Sequence, residues 1–318
     1  MKPAIVVMGS LNMDFVARVR HLPVPGETVL GRGFQMLPGG KGANQACAAG
    51  KLAPSWLDVR MIGCAGYDLF ADHLKASLSA AGVDVSAVRA SQSQPTGIAM
   101  IWVDDGGQNS IVVAPGANGV LTARDAEAMR SSFRGARLAL FQLETPLDAV
   151  EAAMAVAASE GARVILDPAP AQPLSRFLLE RVSILTPNES EACLLLGRPA
   201  TRIRRDDAPE LARATLALGP KSVIVKLGDQ GCFHTDGVTE LYSPAFPAAA
   251  VDTTAAGDVF NAALAVALAE DQPLPWALRF ANAAAAISVT RAGAQASAPS
   301  REEMLDGLSR PDIFGLPG

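Results

Sequence analysis

The chain has 318 residues and a formal net charge of −5, and 49% of its residues are apolar while 19% are charged. This composition is typical of a folded globular protein with a substantial core, and it excludes a disordered chain. Nucleic-acid binders are usually basic, whereas the Arg-rich run at residues 202–205 fits a solvated loop. We therefore expect no nucleic-acid partner.

Signals for targeting, membrane insertion and zinc binding are weak. The apolar runs are too short to span a bilayer, and the N-terminus begins as a strand without a signal-peptide pattern. The four cysteines are widely spaced without a C-x-x-C motif, which indicates free, mostly buried thiols in a reducing compartment. The three histidines lack the spacing of zinc ligands, and there is no G-x-S-x-G motif of a serine hydrolase. We expect a cytoplasmic protein with no membrane partner.

Two short polar side chains follow the first predicted strand, residues 4–8. In an extended segment, side chains two positions apart lie on the same face. Asn12 and Asp14 together could therefore hold neighbouring hydroxyl groups, such as those of a sugar. The alternative is a loop that caps itself through hydrogen bonds to these side chains, and by themselves the two residues favour that alternative.

Four short strands are predicted apart from the main sheet. Residues 15–20 and 28–35 flank a proline-glycine turn, and residues 97–103 and 110–114 flank a hairpin turn. The alternation of apolar and polar residues in the first two is weak, as expected of an exposed sheet or lid. We group residues 15–35 and 97–114 as one small sheet that forms this lid.

A glycine-rich stretch, residues 37–46, leads into the first predicted helix. Its glycines allow the backbone to approach a ligand closely, and Lys41 and Asn44 add donors on one face of the helix N-terminus. The stretch is not a Walker A loop, because Gly42 stands where Ser or Thr must follow the lysine. A plain tight turn is the alternative for the glycines alone.

From residue 122 onward, predicted strands and helices alternate, and no linker or internal repeat interrupts them. This order predicts a single α/β domain over residues 1–318, with a mostly parallel sheet and helices on both faces. Ligands in such folds gather at the carboxyl ends of the strands. The residues that fall just after predicted strands and could converge there are Asn12, Asp14, Glu144, Asn188, Glu191 and Gly228.

Residues 251–263 carry the strongest single signal. Small and polar residues run directly into an apolar, alanine-rich helix, whose first backbone N–H groups have no internal partners and attract anions. Asp258 would then lie beside an anion that it should repel. That position suits a general base acting on a hydroxyl next to a phosphoryl group. The alternative is that Asp258 only complements the helix dipole, and the stretch leaves both interpretations open.

Two separated stretches resemble the signatures of the PfkB-type carbohydrate kinases. They are residues 38–46, PGGKGANQA, and residues 252–258, DTTAAGD. Shorter matching stretches are residues 9–14, 142–144 and 186–189. The resemblance runs from about residue 4 to about residue 304 and is nearest to the family members that phosphorylate ribose. Ala255 departs from the glycine usual in the family, but the ribose-acting members commonly carry alanine there.

The resemblance implies a three-layer α/β fold with a small β-sheet lid, and ATP-dependent phosphorylation of D-ribose at its 5-hydroxyl. Asp258 would be the general base and would also contact the sugar. The residues implied to bind the sugar are Asn12, Asp14, Gly40, Lys41, Gly42, Asn44 and Glu144. The residues whose backbone N–H groups would form an anion hole for the transferring group are Ala255, Ala256 and Gly257.

Sites for ATP, Mg²⁺ and K⁺ are implied by the same resemblance. Residues implied to line the nucleotide are Asn188, Lys226, Leu227, Gly228, Asp229, Gln230, Gly231, Gly257 and Asn282. Asn188 and Glu191 would also position Mg²⁺ through water, a role compatible with an N-cap at Asn188. Residues implied to hold the monovalent cation, several through backbone carbonyls, are Asp252, Thr254, Ser288, Arg291, Gly293 and Ser297.

The resemblance also implies a homodimer, in which the lids of two copies pair and cover an exposed sheet edge. One alternative is another sugar or nucleoside kinase of the family, such as a deoxyribokinase, a fructokinase or a ketodeoxygluconate kinase. The polar set at residues 12, 14, 41 and 44 favours a polyhydroxylated sugar, and with 5% aromatic residues no platform for a nucleobase is obvious. A non-catalytic sugar sensor is a further alternative, against which the intact Gly257 and Asp258 weigh.

Overall fold

The structure, a computed structural model, describes residues 2–309. The strands are β1 Ala4–Met8, β2 Asn12–Arg18, β3 Gly33–Gly39, β4 Asp58–Ala65, β5 Val83–Ala90, β6 Gly97–Val103, β7 Asn109–Ala114, β8 Ala136–Phe141, β9 Arg163–Leu166, β10 Ile184–Leu185, β11 Val223–Lys226, β12 Cys232–Thr235 and β13 Glu240–Ser243. The helices are α1 Lys41–Leu52, α2 Leu69–Ala80, α3 Ala123–Ala128, α4 Leu147–Ser159, α5 Arg176–Leu179, α6 Glu189–Leu195, α7 Ala208–Leu216, α8 Ala256–Ala269, α9 Leu274–Ser288 and α10 Arg301–Ser309. Met1 and residues 310–318, which the predicted single domain includes, lie outside the described residues.

A nine-stranded sheet forms the centre of the molecule, in the order β13-β12-β11-β10-β9-β8-β1-β4-β5. The neighbouring strands from β11 to β5 are parallel, which confirms the predicted mostly parallel sheet. The end of the sheet differs, because β12 pairs antiparallel with both β11 and β13. Parallel neighbours need a long crossover, and the short links around Gly228–Gln230 and Gly237 allow only hairpins.

Both faces of this sheet are buried, as the alternation along β1 demonstrates. Ile5 and Val7 belong to a core cluster with α1, α2, α8 and α9, whereas Val6 and Met8 belong to a second cluster with α4 and α7. Successive strand side chains point to opposite faces, so a fully apolar strand requires helices on both sides. The predicted three-layer arrangement is confirmed. In the part of the chain that the structure describes, no helix has the length and apolarity to cross a membrane.

The smaller sheet has the order β3-β2-β6-β7, with β2 and β6 parallel and the other pairs antiparallel. The prediction of its second strand at residues 28–35 is wrong in position, because β3 runs from Gly33 to Gly39. Its register with β2 extends from Arg18 opposite Gly33 to Asn12 opposite Gly39. Pro38 suggested a turn, but an edge strand tolerates proline. The glycine-rich stretch therefore begins inside the small sheet.

Candidate active site

Gly40, just before α1, and Gly42, in its first turn, bring this helix against the connection between β1 and β2. Gly40 has a φ of 89°, and a Cβ there would lie 2.8 Å from the backbone nitrogen of Asn12. A Cβ on Gly42 would lie 2.6 Å from the carbonyl carbon of Gly9. Both distances are shorter than real Cβ contacts, so these glycines are required for packing whether or not they also approach a ligand.

Glu144 caps the N-terminus of α1, although it lies 103 residues after Lys41 in the chain. The N-cap residue Gly40 has no side chain to offer, and the backbone N–H of Lys41 donates to Glu144 Oε2 at 3.0 Å. The same oxygen accepts a hydrogen bond from Ser10 Oγ at 2.5 Å. Glu144 thus joins the ends of β1 and β8 to α1, which places this predicted sugar-binding residue at the centre of the strand edge.

Asn12 is held in place by a residue that the sequence analysis missed. Asn118, 1% exposed, donates from Nδ2 to Asn12 Oδ1 at 2.8 Å. It also donates to the carbonyl of Leu11 at 3.0 Å and accepts from the backbone N–H of Leu11 at 2.9 Å. Asn118 lies 106 residues from Asn12, within a short 3₁₀ turn, so no local pattern could have indicated this contact.

Asp14 lies beside two other carboxylates. Its side chain packs against Gly39, where a Cβ would come within 2.1 Å of Asp14 Oδ2. Burial, followed by the negative charges of Glu144 and Asp258, raises the pKa of Asp14 to about 7. Asp14 and Asn12 occupy alternate positions of β2 and share a face, which confirms that part of the prediction.

Asp258 is 5% exposed, and both of its carboxylate oxygens accept hydrogen bonds from the first signature, residues 38–46. Asn44 Nδ2 donates to Oδ2 at 3.1 Å, and Gln45 Nε2 donates to Oδ1 at 3.1 Å. Burial raises the pKa of Asp258 to about 6, although the positive charge of Lys41 opposes the shift. Asn44 and Asp258 are 214 residues apart in the chain, so the two signatures converge in space.

Lys41 provides a positive charge at this convergence. Burial disfavours its ammonium form, but the carboxylates of Asp258, Asp167, Glu144 and Glu191 outweigh burial, so the pKa of Lys41 is raised. The ammonium therefore stays charged among acidic groups, in a position to bind hydroxyl or phosphoryl oxygens.

The N-terminus of α8 is open to an anion. The N-cap residue Ala255 adopts a left-handed conformation with φ of 61°, and among residues 2–309 no side chain caps this helix end. The N–H of Ala256 makes only a long hydrogen bond, 3.3 Å, to the carbonyl of Thr253. The early N–H groups of such a helix have no intrahelical acceptor and carry its positive dipole end. Ala255, Ala256, Gly257 and Asp258 all line the same cavity. A general base and an anion-binding helix end are thus adjacent.

This cavity has a volume of about 910 Å³. The predicted residues that line it are Lys41, Asn188, Glu191, Lys226, Gly228, Asp229, Gly231, Ala255, Ala256, Gly257, Asp258 and Asn282. An apolar end, which the sequence analysis missed, is lined by Phe246, Pro247, Ala248, Ala285, Ala286 and Val289. The predicted residues Leu227 and Gln230 are not among those that line the cavity: Leu227 is fully buried, and Gln230 bonds to the loop at Ile203 and Arg205.

Asn188 and Glu191 form a reciprocal cap at the start of α6. Asn188 Oδ1 accepts from the backbone N–H of Glu191 at 2.8 Å, and Glu191 Oε2 accepts from that of Asn188 at 2.8 Å. Burial raises the pKa of Glu191 against the nearby charge of Lys226. Residues 2–309 contain no group of three or more metal-ligating side chains. A carboxylate at the cavity wall fits Mg²⁺, which keeps most of its water.

The residues implied to hold a monovalent cation lie on two joined loops and, in the case of Ser288, at the end of α9. Asp252 accepts from the backbone N–H of Thr254 and from that of Gly293, each at 2.9 Å. These bonds lower the pKa of Asp252 despite its partial burial. Ser288 and Ser297 donate their hydroxyl protons to nearby backbone carbonyls. The Arg291 guanidinium pairs with Glu303, and because a guanidinium has no lone pair for a cation, only the backbone carbonyl of Arg291 could be a ligand. Carbonyl and carboxylate oxygens of this kind suit K⁺.

Asp167 is a further polar residue in the cavity that the sequence analysis left out of the site. It follows β9, is 3% exposed, and accepts from Lys226 Nζ at 2.8 Å. Gln45 Nε2 also donates to Asp167 at 3.1 Å. Its place after a buried strand was the signal that could have identified it.

A family model described as pfkB family carbohydrate kinase matches residues 2–301. The chain therefore belongs to the pfkB family of carbohydrate kinases, as its two signatures and the site around Asp258 indicate.

Two ribokinases and one deoxyribokinase are among the proteins that are similar to this chain. The ribokinase of Haemophilus influenzae is 39% identical over 308 residues, which cover 97% of this chain and 99% of that protein. The structure of Arabidopsis thaliana ribokinase complexed with ribose and ATP is similar with a TM-score of 0.87 and 35% identity, covering 98% of this chain and 100% of that chain. The deoxyribokinase of Salmonella typhi is 33% identical over 306 residues, 96% of this chain and 98% of that protein.

Proposed function

We propose that this chain transfers the γ-phosphoryl group of ATP to the 5-hydroxyl of D-ribose. The observation that carries the proposal is the contact between the first signature and Asp258, at the uncapped N-terminus of α8. Donors and acceptors for sugar hydroxyls there adjoin a cavity large enough for a nucleotide. The relative named for ribose and ATP supports the same pair of substrates.

Asn12, Asp14, Lys41 and Asn44 hold the sugar hydroxyls, and Glu144 contributes from the end of β8. Asn44 supports this role because its Oδ1 is buried without a hydrogen-bond partner among the described residues, while its Nδ2 donates to Asp258. A sugar hydroxyl would satisfy that oxygen. Gly40 and Gly42 take part through the backbone they bring close to β1.

Asp258 accepts the proton of the 5-hydroxyl while the sugar oxygen forms a bond to the γ-phosphorus. The bond between that phosphorus and the β,γ-bridging oxygen breaks, and ADP leaves. The N–H groups of Ala255, Ala256 and Gly257 stabilise the charge of the transferring group, where one preorganised donor typically contributes about 3 kcal/mol. Positioning and charge neutralisation are the main requirements of phosphoryl transfer.

ATP occupies the cavity along β11 and α8. Gly228, Asp229 and Gly231 line one wall, and the apolar end around Phe246 receives the adenine. Asn282 uses its amide NH₂ to bond the carbonyls of Ser243 and Pro244, so its carbonyl oxygen is the group it offers to the nucleotide.

Two ions complete the proposed site. Asn188 and Glu191 hold Mg²⁺ through water, and Mg²⁺ supplies charge neutralisation to the phosphates when bound. K⁺ is held beside the start of α8 by oxygens of Asp252, Thr254, Ser288, Arg291, Gly293 and Ser297. The hydrogen bonds of Asp252 to both loops support that placement. The four buried free cysteines fit a reducing compartment, and we propose a cytoplasmic location.

The small sheet acts as a lid over the sugar and as a dimer contact. Residues 15–35 and 97–114 were expected to form it, and the strands β2, β3, β6 and β7 are its structural counterpart. Phe34, Met36, Ile111 and Val112 are 61%, 54%, 52% and 48% exposed on these strands. Apolar side chains on an exposed sheet favour cover by a second copy.

An ADP-release assay with ATP, Mg²⁺, K⁺ and a panel of pentoses, hexoses and nucleosides tests the substrate. We expect kcat/KM for D-ribose to exceed that for every other member of the panel. A second candidate is 2-deoxyribose, which the deoxyribokinase relative favours. If deoxyribose, fructose or a nucleoside is phosphorylated at least as efficiently as ribose, the proposed substrate is wrong.

A further inference from the structure

A buried ion pair crosses the carboxyl edge of the main sheet beneath the cavity. Lys226 ends β11 and Asp167 follows β9, with the short strand β10 between them. Lys226 Nζ lies 2.8 Å from Asp167 Oδ1, and the two side chains are 13% and 4% exposed. Burying both charges carries a desolvation penalty, so this pair is weak evidence for stability and calls for another explanation.

The ammonium of Lys226 points to the start of α8. A Cβ placed on Gly257 would lie 3.3 Å from Lys226 Nζ, so this cation lies over the backbone that we assign to the anion hole. Burial disfavours the charged form, but Asp167, Glu191 and Asp258 outweigh burial and raise the pKa of Lys226. The charge is therefore present where the phosphoryl group would arrive.

We propose, on the basis of the kinase function proposed above, that Lys226 contacts the transferring phosphoryl group through its ammonium and that Asp167 is the residue that positions it. This differs from a contact between Lys226 and the adenosine end of ATP. The transferring group carries its charge on three equatorial oxygens. An ammonium and the N–H of Gly257 on the same side of that group offer it charge-assisted hydrogen bonds.

Gln45 connects this pair to the proposed base. Its Nε2 donates to Asp167 Oδ2 and to Asp258 Oδ1, each at 3.1 Å. Its Oε1 accepts from Gln142 Nε2 at 2.6 Å, which fixes the orientation of the Gln45 amide. One buried amide thus sets the spacing between the group that accepts the proton and the group that holds the phosphoryl oxygens.

Substitutions of the pair separate this role from a purely structural one. Lys226→Met removes the ammonium, and Asp167→Asn removes the carboxylate that positions it. The double variant removes both charges of the pair, so neither is left buried without its partner. Lys221→Met is the matched control, because Lys221 is exposed at the far end of the same strand region. Melting temperature, kcat, KM for sugar, and dissociation constants for ATP and ADP without sugar are measured for each protein.

We expect Lys226→Met to lower kcat by about 10²–10³-fold, the usual loss for one preorganised donor, with KM for sugar changed less than threefold. ATP should bind about tenfold more weakly and ADP should not, because only ATP carries the contacted group. Asp167→Asn should lower kcat less than Lys226→Met, and the double variant should resemble Lys226→Met because Asp167 acts through the lysine. Lys226→Arg should retain more activity than Lys226→Met.

The proposal is overturned if folded Lys226→Met keeps kcat within threefold of the parent and the parent's ratio of ATP to ADP affinity. Should Lys226→Met fail to fold, the same two measurements on the charge-free double variant decide the proposal. A wrong assignment of the substrate is a separate result, because it would show as a preference of the unsubstituted protein for another sugar in the panel. The variants are then compared on that sugar, and the roles of Lys226 and Asp167 are still decided.

Discussion

Two amide side chains and deep burial define the environment of Asp258. Asn44 and Gln45 leave each carboxylate oxygen with one donor, and a hydroxyl can still bond to the remaining lone pairs. Helix-dipole complementation, the alternative left open by the sequence, does not require a buried acid beside another helix. The structure therefore favours a role in proton transfer, which we propose for the 5-hydroxyl.

Asp258→Asn tests that role. We expect kcat to fall by about 10²–10⁴-fold, the usual contribution of a general base, with little change in KM for ribose. The substitution removes the cost of burying a charge, but its new NH₂ group would face the donor of Asn44 or Gln45, so the melting temperature should fall only slightly. Steady-state kinetics and thermal unfolding measure both. If kcat stays within threefold of the parent value, Asp258 has no chemical role, and the alternative of a non-catalytic sugar sensor is favoured again.

The pH profile follows from the two raised pKa values. Burial chiefly places the pKa of Asp14 at about 7 and that of Asp258 at about 6. The carboxylate forms are required to hold the sugar and to accept the proton, so kcat/KM for ribose should fall as pH drops from 8 to 5. These carboxyls interact, so the observed values belong to the cluster.

Titration of these two carboxyls does not destabilise the fold over this pH range. A carboxyl with a raised native pKa binds more protons in the native state, so these two groups increase the free energy of unfolding as pH falls through 7 and 6. Asp14→Asn is the control, because it removes one carboxyl of the cluster, so the fall in kcat/KM should begin at a lower pH. A flat profile between pH 8 and 5 would contradict these assignments.

At the level of single residues, the sequence predicted several side chains of the two signatures but not Gln45, which donates to Asp258. Asp258, Asn44 and Lys41 were identified because the stretches that contain them resemble the two signatures of a known family. Asn118 was missed because its contact with Asn12 spans 106 residues and depends on how the small sheet folds. Asp167 was left out of the predicted site because an acid after one strand is uninformative until the neighbouring lysine is in place.

At the level of elements, the junction between β3 and α1 determines the shape of the sugar site. Gly40 occupies a left-handed conformation and also contacts the backbone of the β1–β2 connection. The two effects can be separated, because Gly161 has almost the same φ, 88°, with no atom within 4 Å of a Cβ. A residue with a Cβ would therefore be strained at both positions, but its Cβ would overlap other atoms only at position 40.

Gly161→Ala should cost roughly 1–3 kcal/mol of unfolding free energy, the usual cost of left-handed strain. Gly40→Ala should cost more and should also raise KM for ribose, because Asn12 must move. Urea unfolding and steady-state kinetics check both variants. Equal losses of stability, together with an unchanged KM in Gly40→Ala, would remove Gly40 from the site.

The existence of elements was easier to predict than their ends. The helix at Lys41–Leu52 and the parallel strands follow from apolar patterns, whereas β3 was placed too early in the chain. Its position depends on pairing with β2, a tertiary interaction that overrides the local turn signal of Pro38 and the glycines. The antiparallel end of the main sheet was missed because β12 and β13 are short.

At the level of the whole molecule, the exposed apolar side chains of the small sheet predict association. We expect the protein to sediment as a dimer at micromolar concentration. Ile111→Asp, on β7, should shift it to a monomer, because a charge would be buried in the contact. Val238→Asp is the control, since Val238 is 94% exposed in the turn between β12 and β13. A monomeric parent protein would contradict the dimer.

The catalytic site is also a property of the whole molecule, because it joins residues 44 and 45 to residue 258. The two signatures predicted that meeting through resemblance to a family, and the contacts of Asn44 and Gln45 with Asp258 give it a geometry. The cation-binding loops could not be derived from residue types, because backbone carbonyls leave no side-chain pattern in a sequence.

The position of the transferred phosphoryl group tests the central claim most directly. A ³¹P and ¹³C NMR time course of the full-length protein with ATP, Mg²⁺, K⁺ and ¹³C-labelled D-ribose would follow the reaction. We predict one new phosphomonoester, coupled to carbon 5 of the sugar and formed in equal amount to ADP. A phosphoryl group on another carbon, or ADP and free phosphate without a sugar phosphate, would contradict the account.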